Sequence, residues 1–246
     1  MFLLIDKPKG ITSHDVIDEV RKITGEKKVG HAGTLDPNAT GLLIVGVGRE
    51  STKRLGKIAI GTKKTYESEI YLGEERDTDD SEGKVIKIWR IPQQVRSSQV
   101  AKSARDDKAG IKSLPALSKA KIEEILKTFV GEQEQIPPKY SSIKIKGKKA
   151  YELARKGEKV DLKPRKITIY SIKLVSYKFP SLKIETTVSS GTYVRALARD
   201  IGKRLGSGAY LKNLRRTKIG DYSIDQAIRL RSLSKFNWKS ETVNIE

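Results

Sequence analysis

Residues 42–47 form an apolar run closed by Gly41 and Gly48. A run of this length, rich in β-branched residues and bracketed by turn formers, reads as a strand buried on both faces. Residues 26–41, dense in Gly, Asp, Pro and Thr, read as a loop that feeds directly into it. Polar loops anchored on rigid, buried strands are common places for functional side chains.

The surrounding pattern is mixed. Residues 2–5 read as a short strand. Thr12 or Ser13 opens a helix, with Asp15 placed for a capping box, apolar positions Val16, Ile17, Val20 and Ile23, and Gly25 as its stop. Residues 51–59 read as a short helix. Tyr66, Ser68, Ile70 and Leu72 alternate with Glu67, Glu69 and Tyr71 as a half-buried strand, and 84–89 alternate again. Between them, Glu74 to Glu82 holds six acids in nine positions. Residues 91–115 are polar without period and longer than most structureless loops, which reads as an insertion or a disordered loop. Ser118 caps a helix with Ile122, Ile125, Leu126 and Phe129 on one face, closed by Gly131. A strand is expected at 140–146, a short helix at 149–156, a hairpin from 166–178 and 182–189, a helix at 192–205 and a last short helix near 224–231. No internal repeat is visible. Hairpins with scattered helices point to an α+β fold, with a mixed, largely antiparallel central sheet and flanking helices.

Composition narrows the chemistry. The 246 residues contain no Cys and two His, so thiolate catalysis and a Cys/His zinc site are excluded. The apolar start of MFLLIDKPKG is too short for a signal peptide, and no stretch has the length of a membrane span. A cytoplasmic location is expected. Fifty Lys and Arg against 30 acids give a net charge of +20, which favours polyanionic partners. Residues 139–173 hold twelve Lys/Arg against three acids, and 203–218 hold six and none. With Tyr140, Tyr151 and Tyr210 interleaved, these stretches suit phosphate contacts and base stacking, although each alone also fits a solvated face.

The stretch Gly30-His31-Ala32-Gly33-Thr34-Leu35-Asp36-Pro37-Asn38-Ala39-Thr40-Gly41 resembles the central motif of the TruB-type pseudouridine synthases. Other blocks are similar and in the same order: Asp6-Lys7-Pro8-Lys9-Gly10; Lys64-Thr65-Tyr66 with Leu72-Gly73 and the turn from Asp77 through Asp80 to Gly83; Pro137 to Ser142 with Gly147 to Tyr151; Ser190 to Arg195; and Leu211 to Arg216. Together they cover about 1–90 and 120–230. Arg76 stands where the family usually has Thr.

The resemblance implies a pseudouridine synthase fold and isomerisation of uridine to pseudouridine at position 55 in the T-arm of tRNA. The glycosidic bond is cleaved, the base turns, and C5 joins C1′. The target base must leave the stack. No cofactor and no metal are implied. Asp36 would be the catalytic carboxylate, attacking C6 or C1′ or abstracting a sugar proton. Arg195 would hold it ionised and oriented. Tyr66 would stack on the flipped uracil, Tyr193 would support the pocket, and Leu211 would provide an apolar wall and a backbone contact. His31 would fill the vacated space or stack on a neighbouring base. Lys7, Lys64, Lys139, Tyr140, Lys148, Lys149, Arg215 and Arg216 would contact RNA. Alone, Arg195 reads more readily as a solvated helix residue, Tyr66 more readily as an inward-facing strand aromatic, and Leu211 at least as readily as core. The expected organisation is one catalytic domain over 1–231, with a short tail at 232–246 and no C-terminal PUA domain. The expected partner is tRNA, bound by a monomer without an obligatory protein partner. A non-catalytic RNA-binding protein on the same scaffold and a synthase for another RNA are the competing readings.

Overall fold

The computed structural model describes residues 1–89, 117–145, 147–158 and 160–245. The segment expected as an insertion at 91–115 lies outside them. In chain order the elements are β1 (Phe2–Lys7), α1 (Ser13–Thr24), β2 (Val29–Ala32), β3 (Thr40–Val47), α2 (Arg49–Gly61), β4 (Lys64–Leu72), β5 (Glu74–Arg76), β6 (Val85–Ile88), α3 (Lys119–Lys127), β7 (Gly131–Gln135), β8 (Lys144–Ile145), β9 (Lys148–Lys149), α4 (Ala150–Arg155), β10 (Arg165–Lys178), β11 (Ser181–Val188), α5 (Val194–Leu205), β12 (Ala209–Ile219), β13 (Tyr222–Ser223), β14 (Ile228–Arg229) and β15 (Thr242–Val243).

The main sheet runs β14-β1-β3-β12-β4-β11-β10-β7, with β2, β13 and β15 paired at its margins. Its β1–β14 and β3–β12 pairings are parallel and the rest are antiparallel, so the sheet is mixed and largely antiparallel. α3 and α5 pack with β4, β10, β11 and β12 in one core. The other half of the sheet is covered on one face by α1 and on the other by α2.

Local chemistry explains the best-defined ends. The Thr12 side chain accepts from Asp15 N at 3.0 Å and the Asp15 carboxylate accepts from Thr12 N at 2.7 Å, a reciprocal cap worth about 1 kcal/mol. Gly25 closes α1 in the left-handed region, at φ 74°.

β3 positions the central loop. It pairs with β1 from Gly41 to Gly46 along one edge. The other edge is divided: β2 pairs at Ile44 to Val47, and β12 at Thr40 and Gly41. The 33–39 loop emerges where these two partners part. Gly41 has φ 104°, and a Cβ there would lie 2.2 Å from the Arg216 carbonyl oxygen, so only glycine lets β12 pass this close.

Several local expectations change. The 26–41 loop contains β2, whose Val29 and Ala32 are buried against β3. The 140–146 strand contracts to Lys144–Ile145. α3 ends at Thr128, and Gly131 instead begins β7. The helix near 224–231 is replaced by two 3-10 turns, Ile224–Gln226 and Leu230–Ser232, around β14. The strand β12 was not expected. Beyond residue 231, Leu233, Trp238 and Ile245 are buried and β15 pairs with β1, so the C-terminal segment is fastened to the sheet.

Candidate active site

Asp36 lies at the tip of the 33–39 loop, and the loop is tied down through its backbone. Ser13, buried in α1, receives Leu35 N–H at 2.9 Å and donates to Leu35 O at 3.1 Å. The Pro37 carbonyl accepts from Gly10 N at 2.9 Å and from the Lys7 ammonium at 3.1 Å. Asp36 O accepts from Ala39 N at 3.0 Å, closing the turn. Arg216 donates to Gly33 O at 3.0 Å and to Leu42 O at 2.8 Å, clamping both ends.

Arg195 enters from the first turn of α5. Its Nε meets the Asp36 carboxylate at 3.0 Å, and one terminal nitrogen meets Asp80 at 3.2 Å. The other terminal nitrogen donates to Tyr140 O at 3.3 Å. The guanidinium side chain is 9% exposed, whereas the Asp36 side chain is 45% exposed. One carboxylate edge is therefore held while the group still faces solvent, the requirement for a nucleophile or base that must meet a substrate.

The cleft above this pair is lined by Asp36, Asn38, Asp80, Arg195, Leu211 and Asn213. It continues into a groove bordered by Lys9, Thr40, Glu67, Lys183 and Arg215. Leu35, Ala39, Tyr66 and Leu211 share the core beneath, with Tyr66 7% exposed. Tyr193 is the N-cap of α5, and burial raises its phenol above the usual tyrosine range. His31 is half-buried in β2. Burial, reinforced by nearby Arg216, lowers its pKa.

The structure thus brings Asp36, Arg195 and Leu211 to one cleft and places Tyr66 beneath it. Three expected RNA contacts are corrected. Lys7 is fully buried and donates to the carbonyls of Pro8, Ile11 and Pro37. Lys64, 6% exposed, donates to Ala59 and Thr62. Arg216, 1% exposed, holds the loop. All three cations are spent on backbone oxygens rather than presented to phosphates. Burial lowers Lys7 and Lys64 to about 8. The Leu211 N–H donates to Asp79 O and its carbonyl accepts from Ser81 N. Lys139, Lys148 and Lys149 are exposed, Tyr140 is half-buried, and Arg215 lines the groove while bonded through both terminal nitrogens to Asp6.

Sequence reasoning missed two contributors. Asp80 was visible as a member of the motif turn from Asp77 to Gly83, but its bond to Arg195 was not. That turn is set by Asp79 in the left-handed region, at φ 62°, and by Arg76, which bonds Glu74 and the carbonyls of Ser81 and Gly83. Gln135, 3% exposed at the end of β7, accepts from Tyr193 N at 2.9 Å and donates to Tyr193 O at 3.1 Å. A single glutamine carries no sequence signal of such a role.

A partly exposed carboxylate tethered to a buried arginine in a cleft at the margin of a mixed α+β sheet has the layout of an enzyme site. The family model of the TruB family pseudouridylate synthase N-terminal domain matches residues 21–116 and 94–194, and that of the tRNA pseudouridylate synthase B C-terminal domain matches 195–244. The chain belongs to the TruB family, whose activity is isomerisation of uridine to pseudouridine in tRNA. It is 44% identical over 230 residues to tRNA pseudouridine synthase B of Aquifex aeolicus, covering 93% of this chain and 71% of that protein. It is 39% identical over 240 residues to the protein of the same name from Thermobifida fusca, covering 94% and 73%. A solved structure of an H/ACA RNP bound to a substrate RNA containing 2′-deoxyuridine has the same fold. The TM-score is 0.65 at 23% identity, covering 99% of this chain and 56% of that one. Among the described residues, no helix is long and apolar enough to cross a membrane.

Proposed function

We propose that this chain converts uridine 55 in the T-arm of tRNA to pseudouridine, with Asp36 as the reacting carboxylate. The observation that carries this reading is the Arg195 guanidinium spanning Asp36 and Asp80 at 3.0 and 3.2 Å, at the base of a cleft open to solvent. The target nucleotide leaves its stack and enters between Asp36 and the apolar wall of Leu211, at a flipping cost of a few kcal/mol. Leaving the stack exposes both faces of the uracil to the protein. Tyr66 underlies this pocket and Tyr193 supports the start of α5.

The reaction is internally balanced. The N1–C1′ bond breaks and a C5–C1′ bond forms. The hydrogen on C5 departs as a proton and N1 gains one, so no oxidant, reductant or second substrate is consumed. Asp36 acts at the ring or the sugar, as nucleophile or base. Arg195 fixes the carboxylate's orientation and offsets its charge. Asp80 holds the far side of the guanidinium, and the carbonyl of Tyr140 holds a third edge.

Exposed Lys139, Lys148 and Lys149, together with Tyr140, Arg215 and half-buried His31, form the RNA-facing margin in this reading. Residues 1–231 act as one catalytic unit, supported by the position of β12 in the middle of the sheet. The enzyme works in the cytoplasm as a monomer, without an obligatory protein partner.

Tritium release tests the reading. A tRNA transcript labelled at C5 of uridine is incubated with wild type or Asp36→Asn in the presence of chelator. Wild type releases about one equivalent per tRNA, because forming the C5–C1′ bond expels that hydrogen. The variant releases none while binding tRNA nearly as tightly. Equal loss of binding and turnover in the variant counts against the role of Asp36. No release by wild type, with tight binding retained, overturns the reading in favour of an RNA-binding protein or a different substrate.

A further inference from the structure

Phe236 is 100% exposed, in a loop that is otherwise fastened. Leu233 and Trp238 are 6% and 7% exposed and pack into the core formed by β1, β3 and α1. Between them, the Asn237 side chain accepts from Ser234 N at 2.7 Å and donates to Ser232 O at 2.9 Å. Phe236 N donates to Ser234 Oγ at 3.3 Å. The loop is tied at both ends and in the middle, and it holds a bare aromatic ring outward. A large apolar side chain fully in water contributes nothing to the core.

The surroundings of the ring are cationic. Arg229, Arg231, Lys235 and Lys239 are exposed, and no acid lies between 226 and 240. The patch also continues from the groove already described. Arg229 stands opposite Asp6 in the β1–β14 register. Asp6 in turn holds Arg215, which lines the groove beside Lys9.

Cations on both sides of an exposed aromatic match the elements of single-strand nucleic-acid binding, in which phosphates are held electrostatically and a base stacks on the ring. We infer that Phe236 is a stacking platform for an unpaired nucleobase of the bound RNA other than the target uridine. Arg229, Arg231, Lys235 and Lys239 grip the flanking phosphates. This rests on the proposed tRNA activity, and it assigns the outer edge of the sheet to substrate affinity rather than to chemistry.

The experiment compares two unmodified RNAs, a full-length tRNA transcript and its isolated T-arm hairpin, with wild type and with Phe236→Ala, Phe236→Leu and Phe236→Trp. For full-length tRNA, Phe236→Ala and Phe236→Leu lower affinity roughly 10-fold, within the usual effect of removing one base stack. Phe236→Trp retains affinity, and its indole fluorescence falls on binding. On the hairpin all four proteins release tritium from C5 at the same rate, which also verifies folding. Unchanged affinity of Phe236→Ala for full-length tRNA overturns the inference alone. So does wild-type affinity in Phe236→Leu, because a leucine packs but does not stack. A change in oligomeric state without a change in RNA affinity assigns the ring to a protein contact and also overturns it. Absence of tritium release from both RNAs in wild type is instead a failure of the proposed activity.

Discussion

The 33–39 loop and the 139–158 segment both depend on lysine and arginine, and they use these residues in opposite ways. Around the first, Lys7 and Arg216 point inward, are essentially inaccessible, and end on backbone carbonyls. In the second, Lys139, Lys144, Lys148 and Lys149 point outward, and its strands β8 and β9 form a separate two-stranded ladder. The difference follows from what a polar loop needs. A loop carrying a reacting carboxylate must not drift, and its carbonyls need donors once water is excluded. A long cationic side chain supplies donors from a distance. A segment that meets phosphates gains more from mobile, solvated charges. Net positive charge is therefore two populations, one ending on backbone carbonyls inside the protein and the other exposed to solvent.

The sharpest way to break this comparison is Arg216→Met. The substitution keeps the apolar stem but leaves the carbonyls of Leu42 and Gly33 without this donor. At about 1–3 kcal/mol for each unsatisfied buried group, stability falls by roughly 4 kcal/mol. Urea unfolding measures it. A loss below about 1 kcal/mol would show that the arginine does not brace the loop and would return it to the RNA-facing set.

Next in size is a pH effect on the same inward set. Burial lowers Lys7 from 10.5 to about 8. Between these values the unfolded chain binds more protons than the folded one, so this residue's contribution to stability rises with pH across that window. Below pH 8 both states are protonated and the contribution is flat. In Lys7→Met the contribution is absent. The difference in unfolding free energy, wild type minus variant, therefore climbs from pH 8 to 10.5 by at most about 3 kcal/mol. A difference that stays constant to pH 10 would mean that the three carbonyls keep the ammonium protonated.

How far these roles could be read in advance depended on whether a residue's environment is local. α1 was legible because Thr12, Asp15 and Gly25 define its ends within a few residues. The Asp36 loop was legible because glycines, Asp-Pro and the buried strand after it are contiguous. β12 was not, although it lies in the middle of the sheet. Its sequence, AYLKNLRRTKI, lacks clean alternation because Arg216 occupies an inward position that a pattern reader expects to be apolar. The inward turn of Lys7 and Lys64 was hidden for the same reason: their partners are carbonyls, which no sequence displays. The Asp36–Arg195 pair came from motif resemblance alone, since nothing local joins a loop to a helix so distant in the chain. Gln135 acts through shape at a distance, and only the fold revealed it or the pairing of Asp80 with Arg195.

Gln135 sharpens the comparison by asking whether bracing reaches the chemistry. Its amide grips both backbone groups of Tyr193, two residues before Arg195. Gln135→Leu removes both bonds and lets the start of α5 shift. The expected result is a kcat about 10-fold lower with little change in KM for tRNA, since the RNA-facing side chains are untouched. Gln135→Glu adds a readout that simple destabilisation lacks. A carboxylate still accepts from Tyr193 N–H but cannot donate to its carbonyl, whereas a protonated carboxyl does both. Its kcat relative to wild type therefore rises as pH is lowered. A ratio independent of pH would confine Gln135 to general packing.

The smallest effect on the fold, and the clearest test of the outward set, comes from Lys148→Ala with Lys149→Ala. Both side chains are exposed, so the unfolding free energy should move by no more than about 0.5 kcal/mol. In the proposed function their work is electrostatic, and it is read in the salt dependence of tRNA binding. Each neutralised phosphate releases condensed counterions, and the slope of log affinity against log salt falls by about 0.7–0.9 for each phosphate left without its cation. The double variant is expected to have a slope shallower by roughly 1–2, weaker binding at low salt, and affinity approaching wild type as salt is raised. Arg216→Met, measured in the same way in its folded state, should keep the wild-type slope. If the two slopes changed alike, the division into inward and outward cations would fail. If only the lysine pair altered the slope, charge on this chain would be assignable residue by residue from where each side chain ends.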